Sequence, residues 1–483
     1  MQTGVWVSLS IYFLMMIGIG IYAWRKSTSN SEEYILGGRG LSPAVTALSA
    51  GASDMSGWLL LGLPGALFVA GLSQAWIGIG LVIGAWLNWM IVAPRLREQT
   101  ERYDNSLTIP GFLGARFPSR ARLLRMVSAV IIVVFFAVYT ASGLVGGGKL
   151  FASAFGGDYM TGVALTLGIV LIYTVIGGFL AVSLTDFVQG CIMMLALVIM
   201  PIVILTSDGG QGIGAAAERL TAIDPQFLSL SKGVTALGWI SAMAWGLGYF
   251  GQPHIIVRFM AIRSVDDVPT ARKIGMSWMI VSLIGAISVG VFGRAYADRI
   301  GLDVADAETI FILLSDLLFH PLVTGFLYAA LLAAIMSTVS SQLLVASSSL
   351  TEDIYRTVLK RGASDRELVN VGRLAVLAVG IVALVIASDP NSQVLGLVAN
   401  AWAGFGAAFG PLIILSLTWK RMTGAGAVAG LIVGAVTVIL WIALGLSSTI
   451  YEIVPGFVAS FIAIVLVSLA TADQGEFRQR ELA

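Results

Sequence analysis

The segment GASDMSGW occupies residues 51–58, in the middle of an apolar run that extends from residue 42 to residue 70. A helix needs about 20 apolar residues to cross a membrane, so this run is long enough. The segment, however, places a carboxylate, two serines and two glycines near the centre of the run. A membrane helix can lose backbone hydrogen bonds only where protein, water or ions satisfy the freed groups. The segment therefore predicts a broken helix that presents carbonyl oxygens to a cation.

Asp54 is the residue of this segment that points most directly to a function. Among the 27 acidic residues, it is the only one that we expect well inside an apolar span, whereas we expect Asp186 at the edge of one. A charged side chain within a membrane is costly, so an intramembrane carboxylate is a functional candidate by default. The alternative is a polar residue that only packs two helices together.

A second segment, WGLGYFGQPH, begins at Trp245 and again mixes glycine and proline into an apolar run. Trp245, Tyr249 and Pro253 are each four residues apart, which predicts that they share one face of a helix. Aromatic side chains on such a face can enclose a small apolar ring, or they can simply pack against other helices. Two broken helices five spans apart are typical of a five-plus-five inverted repeat with a binding site at mid-membrane.

A third segment, AIMSTVSS, begins at Ala334 and carries hydroxyl side chains at helical spacing. Ser337, Ser340 and Ser341 fall on one face of a helix, and Ala334, Ser337 and Thr338 also share a face. Hydroxyl and carbonyl oxygens are better ligands for a small hard cation than for a softer transition metal. The alternative is that small hydroxylated residues allow tight packing between membrane helices, which is common.

The composition is that of an integral membrane protein. Of the 483 residues, 57% are hydrophobic and 11% are charged, whereas soluble domains carry roughly 25% charged residues. The net charge of +1 gives no electrostatic support for a nucleic-acid partner. The single cysteine, Cys191, indicates neither a disulfide framework nor a thiolate metal site.

The hydropathy pattern predicts an all-α integral membrane protein with thirteen transmembrane spans in a single domain, residues 1–483. The predicted spans cover residues 5–24, 42–70, 74–93, 124–153, 159–180, 187–206, 234–258, 274–296, 320–348, 370–388, 394–418, 424–444 and 453–471. A short amphipathic helix is predicted at residues 305–319. No stretch between the spans is long and polar enough for a separate soluble domain.

The distribution of Lys and Arg predicts the orientation, because these residues favour cytoplasmic loops. With the N-terminus outside, all but five of the 28 basic residues fall on the cytoplasmic side. The five exceptions are Lys149, Arg219, Lys232, Arg294 and Arg299. We therefore predict a multi-pass protein of the bacterial inner membrane, with the N-terminus outside and a cytoplasmic C-terminal tail at residues 472–483.

Several stretches of the chain resemble the sodium:solute symporter family, and especially its proline-transporting members. They are residues 34–39 (YILGGR), 45–58 (VTALSAGASDMSGW), 62–66 (GLPGA), 246–254 (GLGYFGQPH) and 401–411 (AWAGFGAAFGP). The similarity extends from the first span to the last, and these stretches are much more specific than a short motif.

The resemblance implies a LeuT-like fold with a five-plus-five inverted repeat. Spans two to six would form one repeat, residues 42–206, and spans seven to eleven the other, residues 234–418. One extra N-terminal span, residues 5–24, and two extra C-terminal spans, residues 424–471, would flank the repeats. The implied activity is symport, in which inward sodium flux drives uptake of L-proline by alternating access. Sodium would be the coupling ion, with no other cofactor and no obligatory protein partner.

The resemblance also implies the residues that bind the two solutes. The sodium ligands would be the carbonyls of Ala52, Met55 and Ala334 and the hydroxyls of Ser337 and Thr338, supported by Asp54. The proline site would comprise Ser56, Gly57, Trp58, Tyr139, Trp245, Tyr249 and Pro253. Arg39 would take part in gating at the cytoplasmic entrance. Some relatives hold a second sodium ion, for which Asp186, Ser337, Ser340 and Ser341 would supply the ligands here.

The residues alone leave other functions open. The nearest alternative is a sodium- or proton-coupled symporter for another small amino acid or carboxylate. A redox subunit that binds haem within the membrane usually needs paired histidines, and the chain has only His254 and His320. A channel is disfavoured, because broken helices in an inverted repeat suit alternating access better than a continuous pore.

Overall fold

The computed structural model describes residues 3–26, 31–207 and 212–471, and the regular elements in these ranges are helices. The α-helices are α1 (Thr3–Lys26), α2 (Ser31–Leu36), α3 (Pro43–Asp54), α4 (Gly62–Ala70), α5 (Ala75–Arg102), α6 (Ile109–Arg116), α7 (Ala121–Phe155), α8 (Tyr159–Thr206), α9 (Gly212–Ile223), α10 (Ala236–Met243), α11 (Pro253–Ala261), α12 (Val268–Ile300), α13 (Ile310–Leu318), α14 (Pro321–Ser348), α15 (Asp365–Ile386), α16 (Val394–Thr418), α17 (Gly424–Ala443) and α18 (Ile453–Ala470). The predicted tail at residues 472–483 lies outside the described residues.

Most of the long helices are apolar enough to cross a membrane. Within the described residues, ten helices meet this criterion, and α3 with α4 makes an eleventh as one bent pair. Leucine, isoleucine and valine side chains are exposed on many of these helices, as expected for surfaces that contact lipid. The all-helical prediction is confirmed. The predicted spans 159–180 and 234–258 contain only shorter helical stretches, so ten or eleven apolar spans are found where thirteen were predicted.

The second predicted span is broken in the structure, as its sequence indicates. The helical axis bends by 71° between α3 and the stretch that leads into α4. At the break, Ser56 has a φ of +23°, and a single turn of 3-10 helix, Gly57–Leu59, follows it. The polar and glycine-rich sequence thus interrupts the helix instead of continuing it.

The seventh predicted span is also irregular. Between α10 and α11 the chain forms a 3-10 helix, Ala244–Gly251, and Gln252 is extended. A 3-10 helix has three residues per turn, so residues four apart do not align along it. The prediction that Trp245, Tyr249 and Pro253 share one helical face is therefore wrong. Pro253 instead begins the next helix, a position that proline favours because it needs no N–H donor there.

Helix α8 joins the fifth and sixth predicted spans. Its backbone departs from helical geometry only at Gly178, where φ is +61° and ψ is −161°. Tyr34 packs so closely against Gly178 that a Cβ atom there would lie 2.8 Å from the tyrosine ring. Asp186 lies eight residues beyond this break, inside the apolar helix and fully buried. The expectation that Asp186 lies at the edge of a span is therefore wrong.

Helix α14 lies at the centre of the molecule. It packs against α1, α7 and α8, and its side chains from residue 327 to residue 344 are all buried. Beyond Ser348 it continues as a π-helix, Ser349–Leu359. Helices of this kind are rare and are often found at functional sites.

Glycines allow the irregular part of span seven to touch α5 directly. A Cβ atom on Gly84 would collide with the main chain of Gly246, and one on Gly246 would collide with the carbonyl of Gly80. At the other end of the same span, the N–H groups of Leu41 and Arg263 donate 3.1 Å hydrogen bonds to the carbonyls of Ala261 and Leu41. The start of span two and the end of span seven are thus tied together through their backbones.

Candidate functional site

Four oxygen atoms from α3 and α14 converge near the break in span two. The Ser337 hydroxyl lies 2.8 Å from the Ala52 carbonyl and 3.2 Å from the Ala334 carbonyl. The Thr338 hydroxyl lies 3.4 Å and 3.2 Å from the same two carbonyl oxygens. All four residues are buried. Two carbonyl and two hydroxyl oxygens in this arrangement form a set of hard donors that suits a small cation.

The fifth predicted sodium ligand, the Met55 carbonyl, lies just beyond the last turn of α3. It accepts a 3.3 Å hydrogen bond from the Leu59 N–H. Met55 itself is fully buried. The Met55 carbonyl is thus hydrogen-bonded to the last residue of the short 3-10 turn that follows the break.

Asp54 connects span two to two other elements. Its carboxylate accepts a short hydrogen bond from the Tyr249 hydroxyl, in the irregular part of span seven. Its main-chain carbonyl accepts a 3.3 Å hydrogen bond from the Tyr139 hydroxyl, on α7. The residue predicted to support sodium is therefore in direct contact with two residues predicted to bind proline.

An aromatic cluster lies beside Asp54. The rings of Trp58 and Trp245 are 6.3 Å apart, and Trp245 stacks on Tyr451 at 5.2 Å. Trp402 meets the Tyr249 ring edge-on at 5.1 Å and donates a 2.7 Å hydrogen bond from its indole N–H to the Trp245 carbonyl. Because the two broken spans, α16 and the segment before α18 all contribute rings, the cluster joins four separate parts of the chain.

The remaining predicted proline-site residues divide into two groups. The Ser56 hydroxyl accepts a 3.3 Å hydrogen bond from the Trp58 N–H, and Gly57 faces α14 across the break. Pro253 lies apart from them. It lines a small cavity together with Thr108 and Phe179, so the structure does not bring it into the aromatic cluster.

The space between the two broken spans is closed. A cavity of about 20 Å³ lies beside Asp54 and Tyr249, and Asn88 and Trp89 also line it. On this measure a single water molecule needs roughly 10–15 Å³. The cavity therefore has room for one water molecule and is too small for an amino acid. A solute can enter only if the spans around the break move apart.

The comparison with known families decides the class of protein. The model of the sodium:solute symporter family matches residues 34–434, which is most of the chain. The chain belongs to the sodium:solute symporter family. As a member of this family it is a multi-pass membrane transporter and not an enzyme. The converging segments of spans two, seven and nine all fall within the matched residues.

Proteins of known function within the family are similar over nearly their whole length. The high-affinity proline transporter PutP of Bacillus subtilis is 59% identical over 456 residues, which cover 94% of this chain and 96% of the relative. The osmoregulated proline transporter OpuE of the same organism is 55% identical over 96% of this chain and 94% of the relative. A sodium/proline symporter of Staphylococcus aureus is 50% identical over 99% and 94%.

Solved structures confirm the fold of this family member. A sodium-coupled sialic acid symporter in a substrate-bound, outward-open state matches with a TM-score of 0.83 at 20% identity, over 97% of this chain and 98% of that one. A nucleobase-cation-symport-1 family transporter in a closed conformation matches with a TM-score of 0.58 at 13% identity, over 91% and 93%. The symporter therefore has a LeuT-like fold.

In this symporter Asp186 forms a buried ion pair. One nitrogen of the Arg258 guanidinium lies 3.1 Å from the Asp186 carboxylate and 2.5 Å from the Ser341 hydroxyl. The Ser49 hydroxyl donates a 2.7 Å hydrogen bond to the same carboxylate oxygen. The Ser340 hydroxyl instead donates to the Ser337 carbonyl at 3.1 Å. Of the residues predicted to hold a second sodium ion, only Ser341 thus contacts Asp186, at 3.4 Å, and one guanidinium nitrogen of Arg258 contacts both.

Arg39 fastens the start of span two to neighbouring elements. Its guanidinium donates hydrogen bonds of 2.8–3.1 Å to the Asn105 and Thr100 side chains and to the carbonyls of Met260 and Ser106. Burial, together with the charge of Arg97, lowers the pKa of Arg39 to about 10, with Glu101 and Glu32 acting in the opposite direction. The side chain therefore keeps its charge at neutral pH while it links spans two, three and seven.

A second polar network surrounds Lys149 near the end of α7. The ammonium group lies 2.7 Å from Asp306 and 2.8 Å from Glu308. The Glu308 carboxylate also accepts hydrogen bonds from the Val394 and Leu395 N–H groups at the start of α16. Glu308 thus caps one helix and pairs with a buried lysine from another.

Three residues of the site were not predicted from the sequence. Trp402 lies within a stretch that carried the family resemblance, so its aromatic ring was a usable signal. Tyr451 lies outside the quoted stretches, and only its contact with Trp245 identifies it. Arg258, the last residue of the predicted span 234–258, was counted among the cytoplasmic basic residues, yet the structure buries it completely.

Proposed function

We propose that the chain is a secondary active symporter that couples inward sodium flux to uptake of L-proline. One observation supports this proposal most strongly: the oxygen cluster of Ser337, Thr338, Ala52 and Ala334 lies beside Asp54, whose carboxylate accepts a hydrogen bond from Tyr249 of the aromatic cluster. A cation site and an apolar pocket therefore share one broken span. Relatives at 50–59% identity that are named proline transporters point to proline as the solute.

The sodium ion would bind between span two and span nine. Its ligands would be the carbonyls of Ala52, Met55 and Ala334 and the hydroxyls of Ser337 and Thr338. Asp54 would add negative charge close by. Because sodium would replace hydrogen bonds that now join α3 to α14, its binding would fix the geometry of the break.

Proline would bind on the other side of the break. The rings of Trp58, Trp245 and Tyr249 would cover the pyrrolidine ring, and Tyr139 would lie against span two. Main-chain N–H groups at Ser56 and Gly57 would face the carboxylate, as the ends of broken helices do in other transporters. Pro253 would contribute to the proline site from the start of α11, since it lies outside the aromatic cluster in the closed arrangement.

Coupling would follow from linkage between the two sites. If sodium stabilises the break in the shape that binds proline, each solute raises the affinity for the other by the same factor. The membrane potential would add about 2.3 kcal/mol per charge for every 100 mV. Arg39 would act in gating, because it ties the start of span two to elements that must separate for a solute to leave.

We further propose the topology that the family resemblance implies. Thirteen spans would comprise two inverted repeats, at residues 42–206 and 234–418. One N-terminal span, residues 5–24, and two C-terminal spans, residues 424–471, would flank them. The whole chain would form a single domain in the bacterial inner membrane, with the N-terminus outside. The tail at residues 472–483 would then be cytoplasmic.

A second sodium ion near Asp186 would require Arg258 to withdraw, because its guanidinium already pairs with Asp186 and contacts Ser341. We expect that a second sodium ion would at most weakly occupy the site formed by Asp186, Ser337, Ser340 and Ser341. A sodium Hill coefficient of one that Asp186→Asn leaves unchanged would exclude this second ion.

Uptake into proteoliposomes tests the proposed function. Labelled proline should accumulate when an inward sodium gradient is imposed and should not accumulate with a potassium gradient. A proton gradient alone should also fail to drive uptake; concentrative uptake under that condition would establish proton coupling instead. Competition by unlabelled solutes identifies the substrate, since stronger inhibition by another small amino acid or carboxylate than by proline would contradict the proposal.

A further inference from the structure

A small buried cavity lies between α2, α15 and the end of span nine. Its lining includes five side chains with oxygen atoms: Tyr34, Ser347, Ser348, Thr351 and Glu352. The volume of this cavity is about 10 Å³. Each of the five residues is more than nine-tenths buried. None of them belongs to the sites described above, and we refer to this space as the inner cavity.

Three oxygen atoms of these residues have no hydrogen-bond partner: the hydroxyls of Tyr34 and Thr351 and one carboxylate oxygen of Glu352. The other carboxylate oxygen of Glu352 lies 3.0 Å from Arg356, which is nearly half exposed. A buried polar atom left without a partner costs about 1–3 kcal/mol. Three such atoms around one cavity indicate that a bound species normally satisfies them.

The hydrogen bonds of the two serines leave their oxygen atoms available to ligate a cation. The Ser347 hydroxyl donates to the Gly372 carbonyl and the Ser348 hydroxyl to the Leu344 carbonyl, each at 2.8 Å. Their protons are therefore engaged, and both oxygens can only accept. With the carboxylate of Glu352 they make three oxygen atoms that can ligate one cation. A cation can satisfy all three, and hydroxyl and carboxylate oxygens are the donors that hard cations prefer.

The inner cavity also lies on the same helix as the proposed sodium site. Thr351 is thirteen residues beyond Thr338, which corresponds to roughly 20 Å at 1.5 Å per residue. Between them, Ser341 and Ser348 continue the polar face that begins at Ser337, since they follow it at helical spacing. We propose that the inner cavity is a separate sodium site, occupied by ions on their way from span nine to the cytoplasm. The assignment of sodium and of this direction rests on the proposed function.

Equilibrium binding of radioactive sodium to the purified full-length protein tests the inner cavity directly. In a Ser337→Ala background, which weakens the main site, a residual class of bound sodium should persist. Adding Tyr34→Phe or Glu352→Gln should weaken that residual binding roughly tenfold, since the first removes an oxygen ligand and the second removes the negative charge beside the ion. Tyr355→Phe is the matched control. Tyr355 lies on the same π-helix as Glu352, and its hydroxyl donates to Glu367 of α15, so its loss should leave residual binding unchanged.

The outcomes separate this proposal from the proposed function. If the Ser337→Ala protein binds no residual sodium, or if Tyr34→Phe and Glu352→Gln leave that binding unchanged, the cavity is not a sodium site. If the proposed sodium-driven symport is wrong, the wild-type protein should instead take up proline at a rate that does not depend on the sodium gradient. Sidedness gives a second measurement: Tyr34→Phe should raise the lumenal sodium concentration that inhibits uptake into right-side-out vesicles and leave the external requirement unchanged.

Discussion

The Ser337 hydroxyl on α14 lies 2.8 Å from the carbonyl oxygen of Ala52 on α3, although the two residues are 285 positions apart in the chain. This contact joins span nine to the broken end of span two. The Thr338 hydroxyl approaches the same carbonyl from the next position along α14. An ion bound here would hold together two helices that have no covalent connection nearby.

Ser337→Ala and Thr338→Ala should each raise the sodium concentration needed for half-maximal proline uptake. Loss of one hydroxyl ligand to a charged group corresponds to about 1.5 kcal/mol or more, which is roughly a tenfold change. Uptake rates across a series of external sodium concentrations measure the effect. Ser416→Ala on α16 is a suitable control, because its hydroxyl bonds only within its own helix, to the Ile413 carbonyl. Equal sodium dependence in all three variants would refute the ligand assignment.

Tyr249→Phe should weaken proline binding more than sodium binding. It removes the hydroxyl that bonds to the Asp54 carboxylate but keeps the ring that packs against Trp402. We expect the KM for proline to rise roughly tenfold, the change that loss of a hydrogen bond to a charged group produces. Tyr139→Phe removes a longer hydrogen bond to a neutral carbonyl and should have a smaller effect. The reverse order of the two variants would contradict this account.

Arg258→Gln should destabilise the folded protein, because it leaves the Asp186 carboxylate buried without its partner. Breaking a buried ion pair in this way costs about 3–5 kcal/mol. The melting temperature of the purified protein in detergent measures the loss. The double variant Arg258→Met with Asp186→Leu should recover much of it, since no charge is then left unpaired. A double variant no more stable than Arg258→Gln would show that the charge imbalance is not the cause.

Glu308→Ala should loosen the start of α16. It removes the acceptor for the Val394 and Leu395 N–H groups and one of the two carboxylates beside Lys149. We expect a loss of stability of about 1–3 kcal/mol, together with slower proline uptake. Asp306→Ala should have a milder effect, because Asp306 is about one-third exposed and caps only the short 3-10 helix Ala307–Thr309. Melting temperatures and uptake rates of the two variants provide the comparison.

Much of the fold could be predicted because the residue types indicate where the membrane helices are interrupted. Asp54 and the glycines and serines beside it do not suit an apolar membrane helix unless their polar groups find partners, and the 71° bend lies at that point. The hydroxyl face of Ser337 and Thr338 could also be predicted, since both residues follow Ala334 at the i+3 and i+4 positions of a helix. Residue type and period were sufficient for these features.

Other features depend on contacts that the sequence does not display. Arg258 resembles a cytoplasmic positive charge in a linear count, and only the approach of Asp186 explains why it is buried. Asp186 was expected at the edge of a span but lies eight residues inside one, because the helix breaks at Gly178. Pro253 was placed with Trp245 by assuming an α-helical period, but the 3-10 geometry between them removes that alignment.

The touching backbones of Gly84 and Gly246 have a practical consequence for any survey of variants in this transporter. Saturation mutagenesis scored by growth on proline should show almost every substitution at these two positions depleted, including alanine. Neither residue carries a side chain that could bind a solute. A screen interpreted without the coordinates would therefore misread them as ligand positions, when their intolerance measures only the lack of room between two stretches of main chain.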